Sequence, residues 1–187
     1  ITATDANGTT SSCEVRLTII DDENPYFQNC PDSLVVANDP GICGAFVNFS
    51  APVAFDNCDD SLDVTQTMGL SPGSEFPVGT TFIQYEAVDD DGNSIFCEFE
   101  VIVRDLEAPT AVCQDVDVAV SADCVVIITP EDVDGGSTDN CGIDSFLISI
   151  DGVNYFDSLV LDQEDLDPQP TNVYLKVIDS SGNESIC

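Results

Sequence analysis

The segment YEAVDDDGNSIFCEFEVIVRD, residues 85–105, indicates how this chain folds. On both sides of Asp-Asp-Gly-Asn at 90–93, hydrophobic residues alternate with polar ones, which is the pattern of half-buried β-strands. Gly92 lets the backbone adopt the positive φ that a tight turn between two strands needs. The segment therefore predicts an antiparallel β-hairpin.

The hairpin pattern occurs three times in the chain. In each copy a glycine follows the first aspartate by three positions and a cysteine follows it by eight. The copies are DANGTTSSC at 5–13, DDDGNSIFC at 89–97 and DSSGNESIC at 179–187. Upstream cysteines also recur, because Cys30, Cys43 and Cys58 correspond to Cys113, Cys124 and Cys141, and the last of each set closes an Asp-Asn-Cys triplet. A fixed period of this kind is typical of a tandem array.

The phase of the repeat predicts three pieces. Residues 1–24 are expected to be the C-terminal hairpin of a truncated upstream repeat, 25–107 a complete domain, and 108–187 a divergent domain lacking its last strand. In the complete domain the alternating runs predict strands at 33–37, 45–50, 64–68, 80–89 and 95–104. Short strands at this density predict an all-β fold of tandem Ig-like β-sandwich repeats.

The charge and cysteine content narrow the class of protein. The chain has 36 acidic residues and three basic ones, a formal charge of −33, which repels nucleic acid and anionic membranes. No apolar run reaches the roughly 18 residues of a membrane span, so membrane insertion is not expected. Nine cysteines without any histidine or CxxC pair indicate disulfides rather than zinc. Disulfides in turn predict a secreted or cell-surface location.

Catalysis is not expected. Without histidine, the Ser-His-Asp and Cys-His nucleophile systems cannot form. Acidic pairs, which hydrolyse glycosidic bonds in some enzymes, are so frequent here that they identify no site.

Three segments carry a resemblance to a known family. CPDSLVV at 30–36, FPVGTT at 76–81 and the hairpin at 85–105 together resemble the hyalin repeat (HYR) domain, over 25–107 almost completely. Residues 108–187 resemble it less, because Gln114 stands where the family has proline and no FPVGTT element is present. The resemblance implies an Ig-like sandwich and a place in an extracellular adhesion protein.

The resemblance also implies a disulfide pattern. In the family the first cysteine pairs with the one that opens the last strand, which implies Cys30–Cys97 and Cys113–Cys187. The expected second pairs are then Cys43–Cys58 and Cys124–Cys141. The partner of Cys13 is expected upstream.

Acidic and amide side chains are expected to converge where one repeat joins the next. Crowded carboxylates repel one another unless a cation binds between them, and Ca²⁺ takes six to eight oxygen ligands with flexible geometry. The first predicted calcium junction contains Asp21, Asp22, Glu23, Asp89, Asp90, Asp91 and Asn93, joined by Asp56, Asn57, Asp59 and Asp60 if their loop folds back. The second contains Asp105, Glu107, Asp139, Asn140, Asp179 and Asn183. The alternative interpretation is that these residues only form solvated turns.

These features predict a non-catalytic structural or adhesive repeat segment of a giant cell-surface or filament-forming protein, stiffened by disulfides and calcium. Its partners would be neighbouring repeats and other copies in a fibre. Two alternatives stay open. One is a glycan- or protein-binding module, with 151–156 as a hairpin tip that contacts the ligand. The other is an accessory domain of a secreted enzyme.

Overall fold

The computed structural model describes residues 1–59, 62–119, 122, 125–162, 165 and 171–187. Over these ranges the chain forms fifteen strands and one helical turn, which confirms the all-β fold. The strands are β1 (Thr2–Thr4), β2 (Thr10–Ser12), β3 (Tyr26–Phe27), β4 (Leu34–Ala37), β5 (Gly44–Phe46), β6 (Ala54–Phe55), β7 (Asp63–Met68), β8 (Glu75–Pro77), β9 (Gly79–Val88), β10 (Ser94–Arg104), β11 (Val126–Ile128), β12 (Ile143–Ser149), β13 (Leu159–Leu161), β14 (Tyr174–Asp179) and β15 (Glu184–Ile186), and α1 spans Pro130–Val133.

The strands are arranged in small sheets. The largest has the order β4-β10-β9-β7, and β4 pairs in parallel with β10 in the register Leu34 to Val101. The others are β1-β2, β3-β6, β5-β8, β11-β13 and β12-β14-β15. The long β9 and β10 flank the predicted turn at 90–93, so the predicted hairpin is confirmed.

Packing contacts divide the chain into two compact units. The first unit consists of Ile1–Cys30, Ala51–Thr67 and Gln84–Cys97. The second unit consists of Pro31–Ser50, Met68–Ile83 and Glu98–Cys187.

The first unit includes the strand pairs β1-β2 and β3-β6 and the Cys30–Cys97 disulfide. In the β1-β2 hairpin, Oδ1 of Asp5 accepts hydrogen bonds from the backbone N–H groups of Asn7 and Thr9 at 2.9 and 2.8 Å, which closes the turn. In the β3-β6 pair, Tyr26 lies opposite Phe55. The hairpin is exposed, so its own hydrogen bonds rather than a core hold its shape.

One core of the second unit lies between the sheet that contains β4 and β10 and the smaller β5-β8 sheet. The ring of Phe49 makes edge contacts with Phe76 and Phe99, which are both buried. Gly44 is required in β5, because a Cβ there would lie 2.6 Å from the carbonyl oxygen of Phe76. These contacts across two sheets are those of a β-sandwich.

A second core in the same unit lies under β11, β12, β13 and β14. Its buried members are Val126, Ile128, Val133, Ile148, Leu159, Leu161, Leu175 and Val177. The α1 turn begins with Pro130, and Asp132 Oδ2 accepts a hydrogen bond from the N–H of Thr129 at 2.9 Å. This helix of four residues is too short to produce a periodic sequence pattern. Among the described residues, no helix is long and apolar enough to cross a bilayer.

Three disulfides form, and they correct part of the expected pairing. Cys30–Cys97 and Cys113–Cys187 are present, as the family resemblance implies. Cys43, however, pairs with Cys141 across a sequence separation of 98 residues. The predictions Cys43–Cys58 and Cys124–Cys141 are therefore wrong, although Cys124 itself lies outside the described residues. Cys58 is a free, exposed thiol, and so is Cys13.

The physical reason for the third disulfide is visible beside it. The side-chain amide of Asn140 donates a hydrogen bond to the carbonyl oxygen of Ile42 at 3.0 Å. This contact holds the Asp-Asn-Cys triplet at 139–141 against the turn that precedes β5, with the Cα atoms of Cys43 and Cys141 4.7 Å apart.

Candidate metal centres

Three aspartates meet in the second unit and form what we call the Asp105 centre. Asp105, Asp139 and Asp179 each place one carboxylate oxygen within 4.8 Å of the other two. Only 5% of Asp105 and 2% of Asp179 is exposed to solvent, so two of the three carboxylates are removed from water. Buried charges of like sign repel strongly, which makes this centre a candidate for a bound cation.

Strand ends and one turn position these aspartates. Asp105 directly follows β10, and Asp179 is the last residue of β14. Asp139 is held by its own turn, in which its Oδ2 accepts hydrogen bonds from the N–H groups of Cys141 and Gly142 at 2.7 and 2.8 Å. All three carboxylates are thus fixed by backbone structure.

Several oxygen atoms at the Asp105 centre are buried and accept no hydrogen bond. They are Oδ2 of Asp105, Oδ1 of Asp139 and Oδ1 of the adjacent Asn140. A buried polar atom without a partner destabilises a fold by about 1–3 kcal/mol, and more when it is charged. A cation bound to these atoms would remove that penalty.

Asn183 organises the remaining polar groups of the centre. Its Nδ2 donates to Oδ2 of Asp179 at 2.7 Å and lies 3.3 Å from the backbone carbonyl oxygens of Asp105 and Glu107. Burial alone would raise the pKa of Asp179, but the bonds from Asn183 and from the N–H groups of Ser181 and Gly182 hold that pKa below its ordinary value. Asp179 is therefore ionised at neutral pH.

A related group, the Asp21 centre, lies in the first unit. Oxygens of Asp21 and Asp56 and the sulfur of Cys58 lie within 4.8 Å of one another. Oδ2 of Asp21 is buried without a hydrogen-bond partner. The thiol of Cys58 donates to Asp21, and this bond, together with partial desolvation and the nearby carboxylates, raises the pKa of Cys58.

The two centres use corresponding residues. Asn93 donates from Nδ2 to Oδ2 of Asp89 at 2.7 Å and to the carbonyl oxygen of Asp21 at 3.2 Å, as Asn183 does at the Asp105 centre. Desolvation opposes the charge on Asp89, but its bonds from Asn93 and from the turn N–H groups lower its pKa. In sequence, Asp105 follows Asp21 by 84 residues.

The other predicted ligands lie around these centres in varied roles. Asn57 donates to Oε2 of Glu23 at 2.6 Å, and Oε2 of Glu107 accepts from the N–H of Gly41 at 2.7 Å. Asp59 accepts from the N–H of Asp90 at 2.8 Å. Asp22 and Asp91 are exposed and belong to neither triad, and Asp60 lies outside the described residues.

Cys58 is the member of the Asp21 centre that the sequence does not predict there, because the sequence analysis assigns it to a disulfide. Its position next to Asp56-Asn57 was the signal that could have placed it in the centre. The segment 151–156 does lie at the end of a hairpin, since Ile148 bridges to Phe156, and Oδ1 of Asp151 accepts from the N–H groups of Val153 and Asn154, each at 2.8 Å.

Comparison with known proteins gives the following matches. The model of the HYR domain matches residues 20–103. Hyalin of Strongylocentrotus purpuratus is 37% identical over 95 residues, which are 49% of this chain and 8% of hyalin. The sushi, von Willebrand factor type A, EGF and pentraxin domain-containing protein 1 of Rattus norvegicus is 30% identical over 98 residues, 52% of this chain and 3% of that protein. The human sushi repeat-containing protein SRPX2 is 33% identical over 89 residues, 48% of this chain and 19% of that protein.

Two cadherin ectodomains are among the similar solved structures. Human desmocollin-1 superimposes with a TM-score of 0.31 at 16% identity, covering 90% of this chain and 36% of its own. Drosophila N-cadherin EC1-4 gives 0.31 at 17% identity, covering 89% of this chain and 49% of its own. The chain spans less than a fifth of the length of each curated relative named above. With its matching model, its relatives and its sandwich strands, the region from residue 20 to residue 103 is an HYR domain.

Proposed function

We propose that this chain is a non-catalytic, adhesive segment of tandem HYR-type repeats in a secreted or cell-surface protein, with Ca²⁺ bound at each joint between repeats. In this proposal residues 25–107 are a complete repeat, 1–24 end the preceding one and 108–187 begin a divergent one. The observation that carries the proposal is the recurrence of the acidic centre, with Asp21, Asp56 and Asn93 replaced by Asp105, Asp139 and Asn183.

The oxygen atoms of the centres favour calcium, whereas the sulfur of Cys58 is not a calcium ligand. Carboxylate, amide and backbone carbonyl oxygens are hard ligands, and Ca²⁺ accepts them in variable number and geometry. Mg²⁺ requires a more regular octahedron and keeps more of its water, so it suits these loop-borne groups less well. The unpaired Oδ2 atoms of Asp21 and Asp105 supply the first ligand in each centre.

Calcium at these places would stiffen the segment. Asp21 lies in the connecting segment between β2 and β3, and Asp105 opens the one that follows β10. Asp56 and Asp139 belong to turns, and Asp179 ends a strand. In each centre, a cation bound to the carboxylates would fix the direction in which the chain leaves one repeat. A stiff, disulfide-bonded array with 36 acidic residues is suited to act as a spacer or fibre outside the cell, with other copies as its partners.

Thermal unfolding in millimolar Ca²⁺ and in a chelator tests the proposal. A cation at a free concentration of about a hundred times its Kd adds about 2.7 kcal/mol to the free energy of unfolding. For a chain of this size, that raises Tm by roughly 5–10 °C. Magnesium at the same concentration is expected to give a smaller shift. An identical Tm in Ca²⁺ and in chelator would show that calcium does not bind these centres. Beads coated with the chain test adhesion separately, and they should cluster in Ca²⁺ and disperse in chelator.

A further inference from the structure

Cys43 and Cys141 are joined although they belong to successive repeats of the sequence. Cys43 lies just before β5 of the HYR domain, whereas Cys141 closes the Asp-Asn-Cys triplet of the divergent segment after it. In the array proposed above, this bond is a covalent link from one repeat forward to the next.

Cys58 occupies the same place as Cys141, one repeat earlier. It closes the triplet Asp56-Asn57-Cys58, 83 residues before Cys141. The N–H of Cys58 donates to Asp56 at 2.7 Å, and the N–H of Cys141 donates to Asp139 at the same distance. Both cysteines also lie beside an acidic centre, Cys58 within the Asp21 triad and Cys141 two residues after Asp139. The two positions differ in that Cys141 is bonded and Cys58 is an exposed thiol.

We propose that Cys58 forms an equivalent inter-repeat disulfide. Its partner is the cysteine of the preceding repeat that corresponds to Cys43 of this one. The proposal rests on the tandem arrangement proposed above, but not on calcium. By sequence position, Cys124 is the Cys43 counterpart in the divergent segment, so it would serve the repeat that follows. The disulfides would then form a ladder that links each repeat to its neighbours.

Formation of the bond requires a two-electron oxidant, for which a small disulfide such as oxidised glutathione suffices. The Cys58 thiolate attacks one sulfur of that disulfide, which forms a mixed disulfide and releases one thiolate. The partner cysteine, as its thiolate, then attacks the Cys58 sulfur, which forms the inter-repeat bond and releases the second thiolate. Two protein thiols are oxidised and one glutathione disulfide is reduced to two thiols, which take up the two protons.

The test protein joins two copies of the chain, with residues 1–187 followed directly by residues 14–187. Cys187 of the first copy then takes the place of Cys13 in the second, so the order of the repeats is kept. Cys13→Ser and Cys58→Ser in the first copy leave three cysteines without an assigned partner. These are both copies of Cys124 and the second-copy Cys58. The protein is folded in a glutathione redox buffer with chelator, alkylated under native conditions and mapped by digestion without reduction. We expect Cys58 bonded to the first-copy Cys124 and a single alkylated cysteine, the second-copy Cys124.

Matched variants separate this result from random oxidation. Cys124→Ser in the first copy should expose Cys58 to alkylation, whereas Cys124→Ser in the second copy should leave Cys58 bonded. Intact Cys43–Cys141 bonds in both copies report correct folding. An alkylated Cys58 in such a folded molecule, or its bonding to the second-copy Cys124, would overturn the proposal. If the joined protein does not fold, the disulfides are mapped in the secreted protein from its source. A free Cys58 thiol in that protein would likewise overturn the proposal.

Discussion

Asn183 donates a hydrogen bond from Nδ2 to Oδ2 of Asp179 at 2.7 Å. The same amide lies 3.3 Å from the carbonyl oxygens of Asp105 and Glu107. One side chain therefore ties the turn after β14 to the segment that leaves β10. Asn93 makes the corresponding contacts with Asp89 and Asp21, so this asparagine bridge is a repeated element of the fold.

Loss of the asparagine bridge should destabilise the second unit. Asn183→Ala removes a bond to a charged group and leaves buried acceptors unpaired, so the free energy of unfolding should fall by about 2–3 kcal/mol. The matched control is Asn154→Ala, which removes a bond of equal length to Asp151 in an exposed loop and should change stability little. Urea unfolding in chelator measures both. Equal effects of the two variants would contradict the assigned role of Asn183.

The lowered pKa of Asp179 predicts acid sensitivity. Because this pKa is lower in the folded than in the unfolded chain, its contribution to stability is complete above the unfolded value of about 4 and is lost as the pH falls through the folded value. Stability measured in chelator from pH 6 to 2 should therefore decline below about pH 4. Asp179→Asn should be less stable at pH 6, with a difference from the parent that narrows in acid. A constant difference across this range would show that the charge of Asp179 is not the cause.

Alternation and turn residues were sufficient to predict the principal strands. The runs around Gly92 alternate without interruption, and β9 and β10 follow them closely. The proximity of Asp105 to Asp179 was also predictable, because Asp105 follows a strand and Asp179 ends one. The four-residue α1 was not, since it is shorter than any helical period.

The pairing of Cys43 with Cys141 could not be predicted from local sequence. Loop-closure entropy favours the fifteen-residue separation from Cys43 to Cys58 over the 98 residues observed. The contact of Asn140 with Ile42 accompanies the observed pairing, and it joins residues 98 positions apart that local sequence does not bring together. Cys58 was consequently assigned to the wrong bond and missed as a neighbour of Asp21.

Removal of the Cys43–Cys141 bond should lower stability while leaving the other two disulfides intact. Cys43→Ser/Cys141→Ser releases a long loop in the unfolded chain, and a loss of about 2–5 kcal/mol is expected. Cys58→Ser, which removes an exposed thiol, should leave the urea midpoint near that of the parent. If the double variant unfolds with the parent's midpoint, the bond contributes nothing to the stability of this chain.

The reactivity of Cys58 should depend on Asp21. The hydrogen bond to Asp21 and its negative charge raise the pKa of the thiol, so Asp21→Asn should lower that pKa and increase the thiolate fraction at pH 7.5. In a Cys13→Ser background we expect iodoacetamide to alkylate Cys58 faster in the Asp21→Asn variant, because the thiolate is the form that reacts. The charge-matched control is Asp32→Asn, at an exposed residue that is not among the groups that raise the pKa of Cys58. Equal rates in both variants would refute the coupling between Asp21 and Cys58.

Calcium stoichiometry should report the two centres independently. Asp105→Asn removes a charge from the most buried triad and should abolish one binding event in calorimetric titration, while Asp21→Asn should abolish the other. Asp144→Asn, an exposed residue of β12 outside both triads, removes the same charge and should retain both events. Because all three variants differ from the parent by one unit of charge, diffuse attraction of Ca²⁺ to the acidic surface would weaken binding equally in each. Loss confined to the two triad variants therefore identifies sites, and equal weakening would mean that the acidic surface binds calcium without them.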